Sequence, residues 1–345
     1  MKALFFGLGS IGQRHLRNLR AIVGPELQVA AFRTRRRQIV LNDRQQVLEN
    51  ENVEEKYSIR SFEDMDEALS WGADAAFICN PNSLHVSCAL AAAEEGCHLL
   101  IEKPLSHDLE GTEELAALLD SKGKIGFVAY QMRFHPLIRL AKEIIRESGI
   151  GRVLSARAER GEYMPGWHPY EDYRESYAAR SDQGGGALLS QIHEMDYLYS
   201  FFGLPRRLFA VGGHLSSLEV DVDDIANVLM ACDVGGQEIP VELHLDYVQR
   251  PPTQTLRILG DDGRIDVDFP SMTLHHHRHG ELFRREEMKD FQRNQLFLNE
   301  MNHFLACTRG EEKPLVSVRD GTQSLRMALA AKESLRSGQS VILAP

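Results

Sequence analysis

The first residues with chemical potential stand near the start of the chain. Gly7-Leu8-Gly9-Ser10-Ile11-Gly12 follows an apolar stretch at 3–6 and leads into a helical pattern at 13–22. A strand, a turn and a helix in that order hold a pyrophosphate. Gly7 permits the tight turn, Gly9 lets the backbone approach the phosphates, and Gly12 brings helix and strand close. The N–H groups of Ser10, Ile11 and Gly12 then offer the positive end of a helix to the anion. The next apolar stretch, 27–32, ends at Arg33-Thr34-Arg35-Arg36-Arg37. An NAD(H)-preferring turn usually carries Asp or Glu there, accepting from the ribose 2′-hydroxyl. A carboxylate repels a 2′-phosphate, whereas guanidinium groups pair with one. Arg33 and Thr34 therefore favour NADP(H), with NAD(H) as the alternative.

Two further loops follow buried-type apolar runs. Asn80-Pro81-Asn82-Ser83-Leu84-His85 comes after 73–79, and Glu102-Lys103-Pro104-Leu105-Ser106 after 98–101. Asn80, Pro81, Asn82, His85, Glu102 and Lys103 are expected at the cofactor. Partial burial draws a lysine pKa down toward the range useful for proton transfer, so Lys103 is a candidate to move a proton or anchor a hydroxyl. The bland alternative is a surface lysine whose stem packs on Pro104. His193 is the second acid–base candidate. It follows Gly184-Gly185-Gly186 in an expected helix whose apolar stripe is Leu188, Ile192, Met195, Tyr199 and Phe202. His193 lies off that stripe, near Ser190, Asp196 and Tyr197. An imidazole there can take the proton of a hydroxyl, or it can be a structural histidine tied to Asp196 or Ser190.

The long segment 161–186 is rich in aromatic and charged residues, which is unusual for a plain connector. Trp167, Tyr173 and Tyr177 can stack on sugar faces, and Arg174 and Arg180 can fork a carboxylate or phosphate. Packing against a partner subunit is the rival reading for the tyrosines. The run His275-His276-His277-Arg278-His279 suggests a metal at first glance. Neighbours on a strand point to opposite faces, so no metal is expected.

The elements needed to position these residues follow from the pattern. Strand-like and helix-like stretches alternate up to about residue 125, which predicts a doubly wound parallel sheet with ligands at its carboxyl ends. From 126 the pattern turns to strands at 152–159, 208–214, 225–232, 241–247 and 255–259, with late helices at 294–307 and 320–337. Val241, Leu243, Leu245 and Tyr247 alternate with Glu242, His244 and Asp246, the mark of a sheet packed on one face. The expected class is α/β over 1–125, followed over 126–345 by an α+β substrate-binding and oligomerisation domain.

Together, GLGSIG, NPNSLH, EKPLS, QMRFHP at 131–136 and GGGALLSQIHEMDYL at 184–198 resemble the family of glucose–fructose oxidoreductase, inositol dehydrogenase and rhizopine catabolism proteins. The resemblance implies an N-terminal Rossmann domain and a C-terminal α+β domain with an open, mostly antiparallel sheet. It places Lys103 beside nicotinamide and substrate, often before a cis Pro104, and puts Arg133 among the substrate ligands. It gives His193 the proton transfer, and assembly into a homodimer or homotetramer through sheet faces. It implies an NAD(P)-dependent oxidoreductase acting on a secondary carbinol of a sugar, sugar acid or nucleotide sugar. One departure stands out. Family members often carry Asp four residues before this histidine, where Leu189 stands here. Asp196, a substrate carboxylate or Lys103 would then have to assist His193. The alternatives on this scaffold are a cofactor-loaded regulatory protein and an enzyme that uses bound NAD(P) without net redox change.

Bulk properties narrow the partners. A net charge of −11 argues against nucleic acid and anionic membranes. No apolar run reaches spanning length and no signal-type segment precedes the first strand, so a cytoplasmic protein is expected. Five cysteines with no metal-type spacing read as reduced core residues.

Overall fold

The computed structural model describes residues 1–34 and 38–343; Arg35, Arg36 and Arg37 of the basic run lie outside the described residues. The chain opens with β1 (Lys2–Phe6), α1 (Ser10–Val23), β2 (Gln28–Phe32), β3 (Val40–Leu41), β4 (Val47–Leu48), α2 (Val53–Lys56), β5 (Ile59–Phe62), α3 (Met65–Ser70), β6 (Ala75–Ile78), α4 (His85–Glu94), β7 (His98–Glu102), α5 (Thr112–Lys122) and β8 (Gly126–Ala129). Six strands form one sheet in the order β5-β2-β1-β6-β7-β8, each pair parallel, and β3 pairs with β4 as a hairpin. The central strands are covered on both faces: every residue of β6 and β8 is buried. Strand order runs outward from β1 in both directions, so the topological switch lies between β1 and β6. That is where a sheet of this kind opens a crevice at its carboxyl edge.

The chain continues with α6 (Pro136–Arg146), β9 (Val153–Gly161), α7 (Ala187–Ser190), α8 (His193–Phe202), β10 (Arg207–Gly213), β11 (Ile225–Val234), β12 (Gln237–Asp246), β13 (Thr253–Gly260), β14 (Gly263–Asp268), β15 (Thr273–Arg278), β16 (Glu281–Glu287), α9 (Asn294–Thr308), α10 (Val318–Ser337) and β17 (Val341–Ile342). A nine-stranded sheet has the order β16-β15-β14-β13-β9-β12-β11-β10-β17. β9 and β12 run parallel and the remaining neighbours are antiparallel. The alternation read in 241–247 holds as far as 245: Val241, Leu243 and Leu245 are buried, Glu242 is exposed and His244 half-buried, whereas Asp246, expected on the outer side, is buried. α7 and α8 lie against β9, β11 and β12. On the outward side, Phe209 of β10 stands directly opposite Leu229 of β11, and both are exposed, as is Val211.

Contacts group the chain into two compact units that interleave in sequence, whereas the expected division fell once, at 125/126. The first unit comprises 1–130, 168–172 and 293–322; the second comprises 131–167, 173–292 and 323–345. The return of 293–322 has a packing cause. α9 lies on α1, and its Phe304 meets Phe77 and Phe127 at ring separations of 5.8 and 6.2 Å.

Two local expectations change. The segment after the triple glycine is not one helix: Gln191 and Ile192 separate α7 from α8. The histidine run does lie on a strand, β15, which carries His275–Arg278, but that strand is not at the surface throughout: His276 is buried and its Nε2 stands 2.8 Å from the Gly149 carbonyl oxygen.

Candidate active site

In the first unit, the glycine loop fits a dinucleotide by its backbone. Gly7 has φ +96°, and a Cβ on it would lie 2.8 Å from the Cys79 carbonyl oxygen. A Cβ on Gly12 would collide with the Gly7 carbonyl oxygen. Above Gly9 the space is open: a Cβ there would meet no protein atom within 4 Å. Gly9 is the N-cap of the 14-residue α1, no side chain caps that end, and its first turn holds no acidic residue. The positive helix end is thus left to an anion, which suits a pyrophosphate over Gly9 with Ser10, Ile11 and Gly12 as its N–H donors.

The adenosine side departs from expectation. Arg33 does not present its guanidinium outward. Its side chain is 3% exposed, and Nη1 donates to Glu54 Oε1 at 2.6 Å. Glu54, held on α2 by the Asn52 cap, also accepts from Ser61 Oγ at 2.6 Å. A buried guanidinium needs a carboxylate, and α2 supplies one. Thr34 is exposed at the strand end.

The loops after β1, β6 and β7 share the carboxyl edge of adjacent strands, as the sequence predicts. Their side chains are used differently. His85, expected at the cofactor, is 1% exposed and gives both ring nitrogens to backbone carbonyls: Nδ1 lies 2.8 Å from Pro104 O and Nε2 2.9 Å from Asn80 O. Asn80 Nδ2 donates to Cys88 Sγ at 3.2 Å, and Asn82 is buried at the start of a 3₁₀ turn that Pro81 leads. Glu102, also expected at the cofactor, turns inward. Its Oε1 is 2.6 Å from His15 Nε2, and its Oε2 accepts the Lys103 N–H at 3.1 Å. His85 and Glu102 are therefore internal braces of the loop edge. Lys103 is half-buried, and the Lys103–Pro104 bond is cis. Behind this edge lies Glu300 of α9, fully buried with neither carboxyl oxygen hydrogen-bonded. Burial, with the Glu102 charge adding to it, pushes its pKa well above the usual carboxylate range.

In the second unit, the triple glycine makes room for a cap. A Cβ on Gly185 would come within 2.6 Å of the Tyr177 and Ala178 carbonyl oxygens, and one on Gly186 would strike Asp223. The Asp223 side chain accepts the Leu188 N–H at 2.9 Å and its carbonyl accepts that of Ala187 at 2.8 Å, fixing the start of α7. Gln191 Nε2 bonds the Asp246 carbonyl at 2.9 Å. His193 opens α8 at 5% exposure.

The polar side of this helix is not a solvent face; it is lined by buried ion pairs. Asp196 does not orient His193. Its oxygens take Arg133 Nε at 2.5 Å and Nη2 at 2.9 Å, and Ser324 Oγ at 3.0 Å. Arg133, expected on the substrate, spends this fork inside the fold. Glu194, also fully buried, meets Arg160 at 3.6 Å and Gln254 Nε2 at 2.7 Å. Of the loop residues, Trp167 packs edge-on to Tyr247 with ring centroids 5.1 Å apart. Tyr173 OH accepts from Glu219 N, and Arg174 pairs with Glu219 at 3.1 Å. Tyr177 begins a short 3₁₀ turn. Arg180 forks Asp182 at 3.0 and 2.9 Å on the surface, so an incoming anion would compete with that carboxylate.

Sequence reasoning missed His15, Asp223, Arg160, Glu194 and Glu300. His15 had the best signal, three residues past the last motif glycine; Asp223, Arg160 and Glu194 meet groups remote in sequence, and Glu300 has no hydrogen-bond partner at all.

Comparison with known proteins agrees with this geometry. Residues 1–130 match the family model described as an oxidoreductase family with an NAD-binding Rossmann fold, and 138–266 match the GFO/IDH/MocA C-terminal domain. The chain is similar to D-xylose 1-dehydrogenase (NADP(+)) 2 of Haloferax volcanii, at 26% identity over 78% of this chain and 80% of the relative. It is also similar to scyllo-inositol 2-dehydrogenase (NAD(+)) of Bacillus subtilis, at 25% over 99% of this chain and 96% of the relative. The solved WlbA dehydrogenase of Bordetella pertussis, in complex with NADH and UDP-GlcNAcA, has the same fold. Its TM-score is 0.80 at 20% identity, over 100% of this chain and 98% of that one.

Proposed function

Since the chain belongs to the GFO/IDH/MocA oxidoreductase family, we propose that it is an NAD(P)-dependent dehydrogenase or reductase acting on a secondary hydroxyl of a sugar, sugar acid or nucleotide sugar. The observation that carries this reading is the loop edge of the first unit: the uncapped glycine-loop helix, the Asn80 loop and the Lys103 loop follow the neighbouring parallel strands β1, β6 and β7. When bound, the nicotinamide ring supplies or accepts the hydride. Lys103 Nζ holds and polarises the substrate oxygen. His193 exchanges the hydroxyl proton, since an imidazole nitrogen can both take and return one.

NADP(H) is the favoured cofactor in this reading, with NAD(H) accepted. Its support is the absence of a carboxylate at Arg33 and Thr34 and the NADP(+) in the name of the xylose dehydrogenase relative; the Arg33–Glu54 pair weighs against a direct role for Arg33. Titration with NADPH and NADH by fluorescence decides it, and tighter NADH binding would refute the preference. Pairing of the exposed Phe209–Leu229 sheet face with a second copy, as a homodimer or homotetramer, belongs to the same reading. So does a cytoplasmic setting, supported by five buried free cysteines. Among the described residues no helix is long and apolar enough to cross a membrane.

The test is a panel of scyllo-inositol, D-xylose, sugar acids and UDP-N-acetylhexosamine derivatives, each with NAD⁺ and NADP⁺, followed by absorbance of the reduced cofactor. Turnover of at least one member is expected. Nucleotide binding without turnover of any would favour a regulatory cofactor-binding protein.

A further inference from the structure

We propose that His85 and His15 are positioning residues that set Lys103 from both sides. The inference rests on the reading of Lys103 as the residue that meets the substrate. Lys103 has Glu102 before it and Pro104 after it, and an imidazole holds each neighbour. On one side His15 Nε2 stands 2.6 Å from Glu102 Oε1, and the other oxygen of that carboxylate accepts the Lys103 N–H at 3.1 Å. On the other side His85 Nδ1 stands 2.8 Å from the Pro104 carbonyl oxygen. Both rings are buried, at 0% and 1% exposure. Neither offers an accessible nitrogen to a ligand: both nitrogens of His85 meet the loop edge, and His15 meets it through Nε2 while its Nδ1 is buried without a partner.

The two imidazoles come from the two other loops of the edge. His15 lies on α1, directly behind the glycine loop, and His85 begins α4, directly behind the Asn80 loop. The position of Lys103 is thereby tied to both segments expected to hold the cofactor. His85 also faces a second acceptor, the Asn80 carbonyl at 2.9 Å from Nε2. A neutral imidazole has one N–H and cannot donate to both carbonyls. In this proposal that proton sits on Nδ1, toward Pro104, the residue beside Lys103. The charged groups that act on this ring are Glu102 and Lys103 themselves.

The experiment reads Lys103 directly and needs no substrate. Competitive acetylation of the intact protein with acetic anhydride, quantified by peptide mass spectrometry, gives the reactivity of Lys103 relative to Lys122 and Lys313. In His15→Ala and His85→Ala the relative rate at Lys103 should rise several-fold as the loop is released. Three conservative variants guard against simple misfolding. His85→Asn keeps a donor near the Nδ1 position and should restore the parent rate, whereas His85→Gln keeps one near Nε2 and should not. His15→Gln keeps the donor to Glu102 and should also restore it. Unchanged Lys103 reactivity in both alanine variants, or rescue by His85→Gln in place of His85→Asn, would overturn the proposal. With a turned-over substrate in hand, misplacement of Lys103 should lower kcat by up to about 10²-fold. In a Lys103→Met background the same two histidine changes should cause no further loss, while equal losses in both backgrounds would also overturn it. Undiminished turnover by Lys103→Met alone would sink the catalytic reading of the lysine, and the acetylation result would still judge the brace.

Discussion

Single side chains in this protein divide into those proposed for chemistry and those that serve the fold alone. Lys103 and His193 are the two to which the proposed function gives chemistry. Lys103→Met and His193→Asn should each lower kcat by about 10²–10⁴-fold, the usual worth of an acid–base group. Neither should alter nucleotide affinity, measured by fluorescence quenching. Near-parent turnover in His193→Asn would return that histidine to a structural role. Glu300 is different: it is a buried carboxyl with neither oxygen hydrogen-bonded, and burial raises its pKa well above the usual carboxylate range. Its folded pKa lies above the unfolded value of 4.5, so its contribution to stability is fully present below that value and is lost as pH rises through the folded one. Over that window the cost grows by about 1.4 kcal/mol per pH unit. Glu300→Gln, which cannot ionise, should therefore gain stability over the parent as pH rises, read by chemical denaturation across pH. A difference independent of pH would show that the carboxyl is not held neutral.

At the level of elements, the recurrent device is a helix start tied down by a group from elsewhere or left open on purpose. α1 is left open for an anion, and α7 is fixed by Asp223. α6 is capped by His135, whose Nδ1 accepts the Leu137 N–H at 3.2 Å while its ring packs against Phe269 and Phe291. Burial pulls His135 from 6.5 down to about 4. A histidine depressed in the fold stabilises above its unfolded pKa and loses that contribution as pH falls through the folded one. Between those two values the parent should lose about 1.4 kcal/mol per pH unit from this residue alone. His135→Asn keeps a capping acceptor and does not titrate. Its acid limb in urea titrations should be shallower by that amount; parallel limbs would refute the account.

On the scale of the whole molecule, a nine-stranded sheet packs helices on one face and leaves apolar side chains on the other. Phe209 and Leu229 form a cross-strand pair 40% and 51% exposed, beside Val211 at 60%. Contiguous apolar exposure on a sheet face favours association with a second copy. Light scattering of the parent should give a multiple of 38.9 kDa. Leu229→Arg should shift the mass toward the monomer with the fold intact, since the side chain is already exposed. A parent that scatters as a monomer would sink this.

What the amino-acid sequence determined by itself was whatever is encoded locally. The glycine loop is set by spacing and by the backbone freedom that Gly7 needs. The parallel sheet follows from the βα alternation, and the packed face of β12 from period-two alternation. The place of Lys103 on the loop after β7 was legible because that loop follows an unmistakable buried strand. Pairing between remote side chains was not legible. Arg33 has the sequence position of a phosphate ligand, yet Glu54, 21 residues on, neutralises it inside the fold. Arg133 and Asp196 are 63 residues apart, and His15 and Glu102 are 87 apart. Which buried charge meets which partner depends on how sheet and helices bring distant segments together. The cost of leaving a charge unpaired in a low-dielectric interior decides those pairings, and that cost exists only once the tertiary structure has excluded water.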